Sequence, residues 1–276
     1  MTRPTVKIFV AGHTPEMLST APRGSDFEAV DLRSLTVAAR FAGNAFAESR
    51  FLVSDEARCV RTDYVGFCSA NYDKKFPRPP HLNGLPRLAR YLHPGDGLGP
   101  ALAKKWPNAD GDHPGMTAVL QRVAVHFGLT VVDQPVPWAN TFVCHRDEWF
   151  RLLDAFQPML TAVLDWYDSE PPYRYRCRRC GAVTDTGCGR YTNARHIAYL
   201  GERLTMLHFA ARTNLRFFTP PAFRQRTSGV RRARTRLHTM MKARGLRVPR
   251  PHFAPSINPL DGPPCPRCKA QHAPAI

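Results

Sequence analysis

The chain has no G-x-G-x-x-G run and no Walker A lysine motif, so neither a dinucleotide fingerprint nor a P-loop is expected. No window reaches the roughly 18 to 20 apolar residues that a membrane-spanning helix needs. Met1 to Gly12 lacks a long apolar run and a cleavable small-residue site, so a signal peptide is not expected and a cytoplasmic protein is. In that compartment cysteines are more often free, catalytic or metal-bound than paired in disulfides. Acid is scarce as well. Asp and Glu total 22 against 39 Lys and Arg, for a net charge of +17. That imbalance says nothing about fold, but it favours an anionic partner such as nucleic acid, an acidic polymer or an anionic lipid surface. The shortage is greatest from Arg203 to Pro259, where neither Asp nor Glu occurs.

What is present is enough for a packed core. Hydrophobic residues make up 43% of 276, while 26 prolines and 18 glycines imply many loops. Val6 to Gly12 reads as a strand ending in a glycine turn, and Tyr64 to Cys68 as a second, short and fully buried. Ser34 to Phe46 carries apolar residues at helical spacing. Met116, Val119, Leu120, Val123 and Phe127 form another helical stripe, with Asp112 and Pro114 as its start and Gly128 as its stop. Leu129 to Val132 reads as a strand and Gly95 to Pro100 as a loop. Trp138 to Cys144 reads as a strand leading into a long helix, on which Asp147 and Glu148 favour the positive end of the dipole and Pro158 introduces a kink. The alternation predicts an α/β fold.

Several residues carry chemistry. Asn71 and Asp73 stand two apart just after the second buried strand, where open α/β sheets bind ligands. They are expected either to form a turn or to offer two oxygen ligands to Mg²⁺ or Mn²⁺ with a diphosphate. Cys177 with Cys180, and Cys265 with Cys268, form two C-x-x-C knuckles whose four thiolates suit structural zinc. The two are much further apart than in a compact zinc ribbon, so the metal would clasp the chain's end onto its middle; Cys188 is a further candidate ligand. Cys59, Cys68 and Cys144 read as ordinary buried thiols. In the acid-free stretch Arg212, Arg216, Arg224, Arg226, Arg231, Arg232, Arg234 and Arg236 recur among aromatic residues. Arginine pairs bidentately with phosphate and stacks on bases, so this stretch is read as polyanion-binding rather than as a solvated face.

Four segments, in order, resemble a family of bacterial glycosyltransferases from capsule and lipopolysaccharide gene clusters. They are Val6 to His13; Asn44-x-x-x-Glu48 ahead of Asp63-Tyr64-Val65-Gly66-Phe67; Asn140-Thr141-Phe142-Val143 before a long helix; and Tyr199-Leu200-Gly201-Glu202-Arg203-Leu204, which is similar to the family's Gly-Tyr-Leu-x-Glu-Arg-Leu block. The resemblance implies a GT-A-like nucleotide-sugar-binding fold with a mostly helical, zinc-clasped C-terminal portion. It divides the chain into a donor-binding core, 1–170, and a basic zinc-knuckle and acceptor-binding region, 171–276, with the helix at 190–210 packed on the core. It also implies donor contacts at Gly12, His13, Asn71, Asp73 and Asn140, with Asp73 in a metal-assisted catalytic role. Glu202 is then a candidate general base, against the alternative of an Arg-paired helix glutamate. Where the family usually carries a His-Tyr-Arg-Arg-like run, this chain has Ser69 to Lys75. The expected function is transfer of a sugar to a modified base in DNA. The alternatives are transfer to a cell-surface polysaccharide and plain zinc-containing nucleic-acid binding.

Overall fold

A computed structural model describes residues 3–43, 48–76, 81–102, 116–132, 134–169, 175–177, 183–184, 193–219 and 260–262. In chain order the elements are β1 (Val6–Gly12), α1 (Pro15–Ser19), β2 (Phe27–Asp31), α2 (Ser49–Leu52), β3 (Tyr64–Ser69), α3 (Tyr72–Lys75), α4 (Leu85–Ala89), β4 (Asp96–Leu98), β5 (Ala101–Leu102), α5 (Met116–His126), β6 (Val136–Pro137), β7 (Phe142–His145), α6 (Arg146–Ser169), β8 (Tyr175–Cys177), β9 (Val183–Thr184), α7 (Asn193–Ala210), β10 (Arg216–Phe218) and β11 (Leu260–Gly262). The fold is α/β. A mixed six-stranded sheet runs in the order β10-β4-β7-β3-β1-β2, and β7 is antiparallel to both its neighbours.

The central strands are mostly apolar because both faces are largely covered. Val6, Ile8 and Val10 of β1 point to one face, with Tyr64 and Cys68 of β3 and Val143 of β7. There they meet Tyr72, Leu85 and Ala89 from α3 and α4. Phe9, Ala11, Val65, Phe67, Phe142 and Cys144 point to the other face, against α2, α5, α6 and α7. Trp149 of α6 anchors that layer. It is fully buried, lies 6.0 Å from the Phe9 and Phe142 rings, and donates its indole N–H to the Ala57 carbonyl at 2.8 Å.

Three sequence expectations change. Over its described part, Ser34 to Phe46 is irregular apart from a 3₁₀ turn at Ala39–Phe41, and only Phe41 of that turn is buried. Leu35 and Val37 reach the core from extended backbone, so apolar spacing here does not mean helix. Leu129 to Val132 forms no strand. The Val132 N–H goes to the Ala210 carbonyl at 3.1 Å, and Gln134 Nε2 donates to the Phe209 carbonyl at 2.7 Å, so this segment caps the end of α7. Within Gly95 to Pro100, the Asp96–Leu98 stretch is a sheet strand. Gly97 makes this feasible, since a Cβ there would stand 2.5 Å from the Phe217 ring on β10. Pro158 lies within a continuous α6, and Gly128 follows α5 with a left-handed φ of 61°. Among the described residues no helix is long and apolar enough to cross a membrane.

Candidate active site

The chain leaves β1, crosses to β2 on one side, and returns to β3 on the other; both pair parallel to β1. Such a reversal opens a crevice at the carboxyl ends of the two central strands. One wall is the end of β1, where Gly12 is buried and His13 exposed. The other is the end of β3, where buried Ser69 accepts the Asn71 N–H on its Oγ at 3.3 Å.

Three chain-distant side chains meet at this end of β3. Glu48 precedes α2, Asn140 precedes β7, and Glu202 lies in α7. Asn140 Nδ2 faces Glu48 Oε2 at 3.5 Å, and Lys75 Nζ lies 3.9 Å from Glu48 Oε1. Burial pushes the Glu48 carboxyl above its ordinary range. Lys75 opposes the shift, the neighbouring Glu202 charge adds to it, and hydrogen bonds from Asn140 and Ser69 oppose it. The Glu48 side chain nonetheless keeps 23% of its surface exposed, so the corner is desolvated but reachable. Glu202 is paired with Arg203 at 3.2 Å.

Backbone and packing in this corner are unusual. Ala139 and Asn140 both take left-handed backbone, with φ of 56° and 49°. Left-handed backbone costs a Cβ-bearing residue such as alanine roughly 1–2 kcal/mol. Asn140 is 3% exposed, and its Oδ1 is buried with no hydrogen-bond partner among the described residues. Behind the corner, Gly201 lets α7 approach α2 so closely that a Cβ would collide with Ser49 Oγ. The glycine therefore sets the spacing between Glu48 and Glu202.

Of the residues read from sequence, Asn140 and Glu202 come together here; Glu48 was quoted there only as part of a motif. Asn71 is the residue before α3, and Asp73 lies in its first turn. Asp73 Oδ1 accepts the Leu82 N–H at 2.8 Å and lies 3.5 Å from His81 Nδ1, so it braces the 81–84 turn. Among the described residues no group of three or more His, Cys, Asp or Glu side chains is placed to hold a metal. Cys68 and Cys144 are buried, and burial raises both thiols; Cys59 is exposed, against expectation.

A second polar cluster serves packing. Glu148 of α6, 3% exposed, accepts from His208 Nε2 at 3.0 Å and Arg212 Nε at 2.9 Å, with Arg151 Nη1 at 3.3 Å from its other oxygen. Burial pushes its carboxyl up, but the His208 hydrogen bond and the His208 and Arg212 charges outweigh this and leave it below the usual carboxylate range. The helix-dipole account of Glu148 is thus incomplete, because the residue fastens α6 to α7. Arg216 likewise forks onto buried Asp96, at 3.1 and 3.0 Å. The first two arginines of the acid-free run after α7, Arg212 and Arg216, therefore have intramolecular partners.

In a three-stranded sheet, β8 pairs antiparallel with β9 and parallel with β11. The β8–β9 hairpin brackets the first C-x-x-C, and Cys177 is in register with Gly262, which stands just ahead of Cys265 in the chain. Cys180, Cys188, Cys265, Cys268, Asn44, Asp112 and the arginines from Arg224 to Arg236 lie outside the described residues.

No family model, no characterised protein and no solved structure matches the chain.

Proposed function

We propose that the protein is a glycosyltransferase, moving a sugar from a nucleotide-sugar donor to a nucleic-acid acceptor through a GT-A-like core. One observation carries this reading. Glu48, Asn140 and Glu202 come from three separate segments of the glycosyltransferase resemblance, and they converge at the carboxyl end of β3. A paired-carboxylate corner with a perturbed acid, beside a sheet crevice, is a functional-site arrangement.

The donor diphosphate lies along the crevice between Gly12–His13 and Lys75, whose ammonium offsets leaving-group charge. In an inverting transfer Glu202 takes the proton of the acceptor hydroxyl as its oxygen bonds to the anomeric carbon. The bond from that carbon to the diphosphate oxygen breaks, and the nucleoside diphosphate leaves with the electron pair. Asn71 and Asp73 would hold Mg²⁺ or Mn²⁺ with the diphosphate, Asp73 through the carboxyl oxygen that does not accept the Leu82 N–H; no step is routed through the ion.

The acceptor assignment draws support from the net charge of +17 and the acid-free arginine run. Arg224, Arg226, Arg231, Arg232, Arg234 and Arg236 are assigned to the phosphate backbone, and a target base within a duplex would be flipped out. Structural zinc on Cys177, Cys180, Cys265 and Cys268 fits the β8–β11 pairing, which brings the backbone before the second knuckle alongside the first. The test is incubation of the full chain with a nucleotide-sugar panel and DNA containing hydroxymethylated or hydroxylated bases, read by mass spectrometry. A hexose or pentose increment on DNA is expected. Donor hydrolysis without DNA transfer points to a glycan acceptor, and DNA binding without donor consumption to a non-catalytic binder.

A further inference from the structure

The Asn140 oxygen, without a partner among the described residues, bears on what the corner binds. Buried polar atoms are nearly always hydrogen-bonded, and each orphan costs about 1–3 kcal/mol. Here the orphan belongs to a side chain held by two successive left-handed residues, so strain and desolvation are spent on the same few atoms. Two carboxylates cluster beside it, one of them, Glu202, already paired with Arg203 at 3.2 Å. Glu48 and Glu202 offer carboxyl oxygens, while the charged or polar donors facing Glu48 are Lys75, Asn140 Nδ2 and Ser69. The missing partner is a set of O–H donors.

We propose that Glu48 and the left-handed Asn140 form a hydroxyl-accepting corner that reads the ring hydroxyls of the transferred sugar. This rests on the glycosyltransferase reading and deepens it, by assigning sugar discrimination to these two residues. A divalent cation fits less well, because the Lys75 ammonium already stands 3.9 Å from Glu48 Oε1 and would repel it. The same ammonium lies where the phosphate adjoining the sugar would be. A site built to hydrogen-bond hydroxyls rejects analogues that lack them, since its own buried groups are then left unpaired.

The test is calorimetric titration of the full chain with UDP-glucose, GDP-mannose and dTDP-glucose, each against its own nucleoside diphosphate. Glu48→Gln and Asn140→Gly are compared with wild type, and their thermal midpoints are recorded. Expected is at least one nucleotide sugar bound about tenfold or more tightly than its diphosphate by wild type. Both variants should abolish that margin, leave diphosphate affinity unchanged, and melt no lower than wild type. A margin that survives both substitutions overturns the hydroxyl corner and leaves the donor reading standing. No binding of any nucleotide sugar or diphosphate overturns both. Binding of Mn²⁺ alone that Glu48→Gln removes, with the sugar margin intact, reassigns the corner to a cation and overturns the proposal.

Discussion

Two glutamates on the same layer of helices, Glu148 buried and Glu48 partly buried, have opposite surroundings. Glu148 is enclosed by His208, Arg212 and Arg151, and its carboxyl is pulled below the ordinary range. Glu48 has one ammonium at 3.9 Å, a second carboxylate nearby and an amide whose oxygen has no partner among the described residues; its carboxyl is pushed up. The first is a finished set of interactions, which is what a structural fastener between α6 and α7 requires. The second is unfinished among the described residues, as the proposed binding corner requires. The satisfaction of the neighbours, more than burial of the acid, separates the two roles.

Substitution should split them. Glu148→Gln removes the buried counter-charge of His208 and of the partly exposed Arg212 and should cost roughly 2 kcal/mol of stability. A fall of less than about 1 kcal/mol in urea denaturation would mean the cluster is not a fastener. Gly201→Ala forces α7 off Ser49 and should cost about 2 kcal/mol. Ser49→Gly added to it should restore part of that loss, and no rescue would place the strain elsewhere. Glu48→Gln should raise stability by about 1 kcal/mol at pH 7.5, because an ionised acid no longer has to be kept in the corner. Ala139→Gly should also gain about 1 kcal/mol, by releasing left-handed backbone.

Acidity sharpens the same contrast. The Glu148 carboxyl is depressed, so its stabilisation is present above the unfolded value of about 4.3 and is lost as pH falls through its folded value. The Glu48 carboxyl is raised, so its penalty is absent in acid and grows as pH rises from about 4.3 through the folded value. The Glu48→Gln gain should therefore vanish below about pH 4, and the Glu148→Gln deficit should shrink as pH falls below about 4.3 and be gone below the folded value of Glu148. A gain from Glu48→Gln that is flat with pH would contradict the desolvated-corner account.

Much of the scaffold was legible in the sequence. Val6–Gly12 and Tyr64–Ser69 are short apolar runs because they are covered on both faces, and α5 and α6 follow their apolar stripes. The interior strand Asp96–Leu98 was not, since a three-residue strand of Asp, Gly and Leu looks like a loop until Phe217 and Phe142–His145 flank it. At the site, Asn140 and Glu202 were found through their motifs. Glu48 was overlooked as a functional group because its significance lies in the approach of α7, which no local pattern encodes. For Asn71-x-Asp73 the local pattern allowed both a turn and a ligand pair; a helical turn begins between the two, and Asp73 braces the 81–84 turn.

The most direct measurement is release of nucleoside diphosphate from the nucleotide sugar that binds best, by wild type and by Glu202→Gln, with and without a modified-base oligonucleotide. The account predicts release that the oligonucleotide accelerates, and a loss of roughly 100-fold or more in Glu202→Gln at an unchanged melting midpoint. Release by Glu202→Gln at the wild-type rate, or no release from any donor, would contradict it.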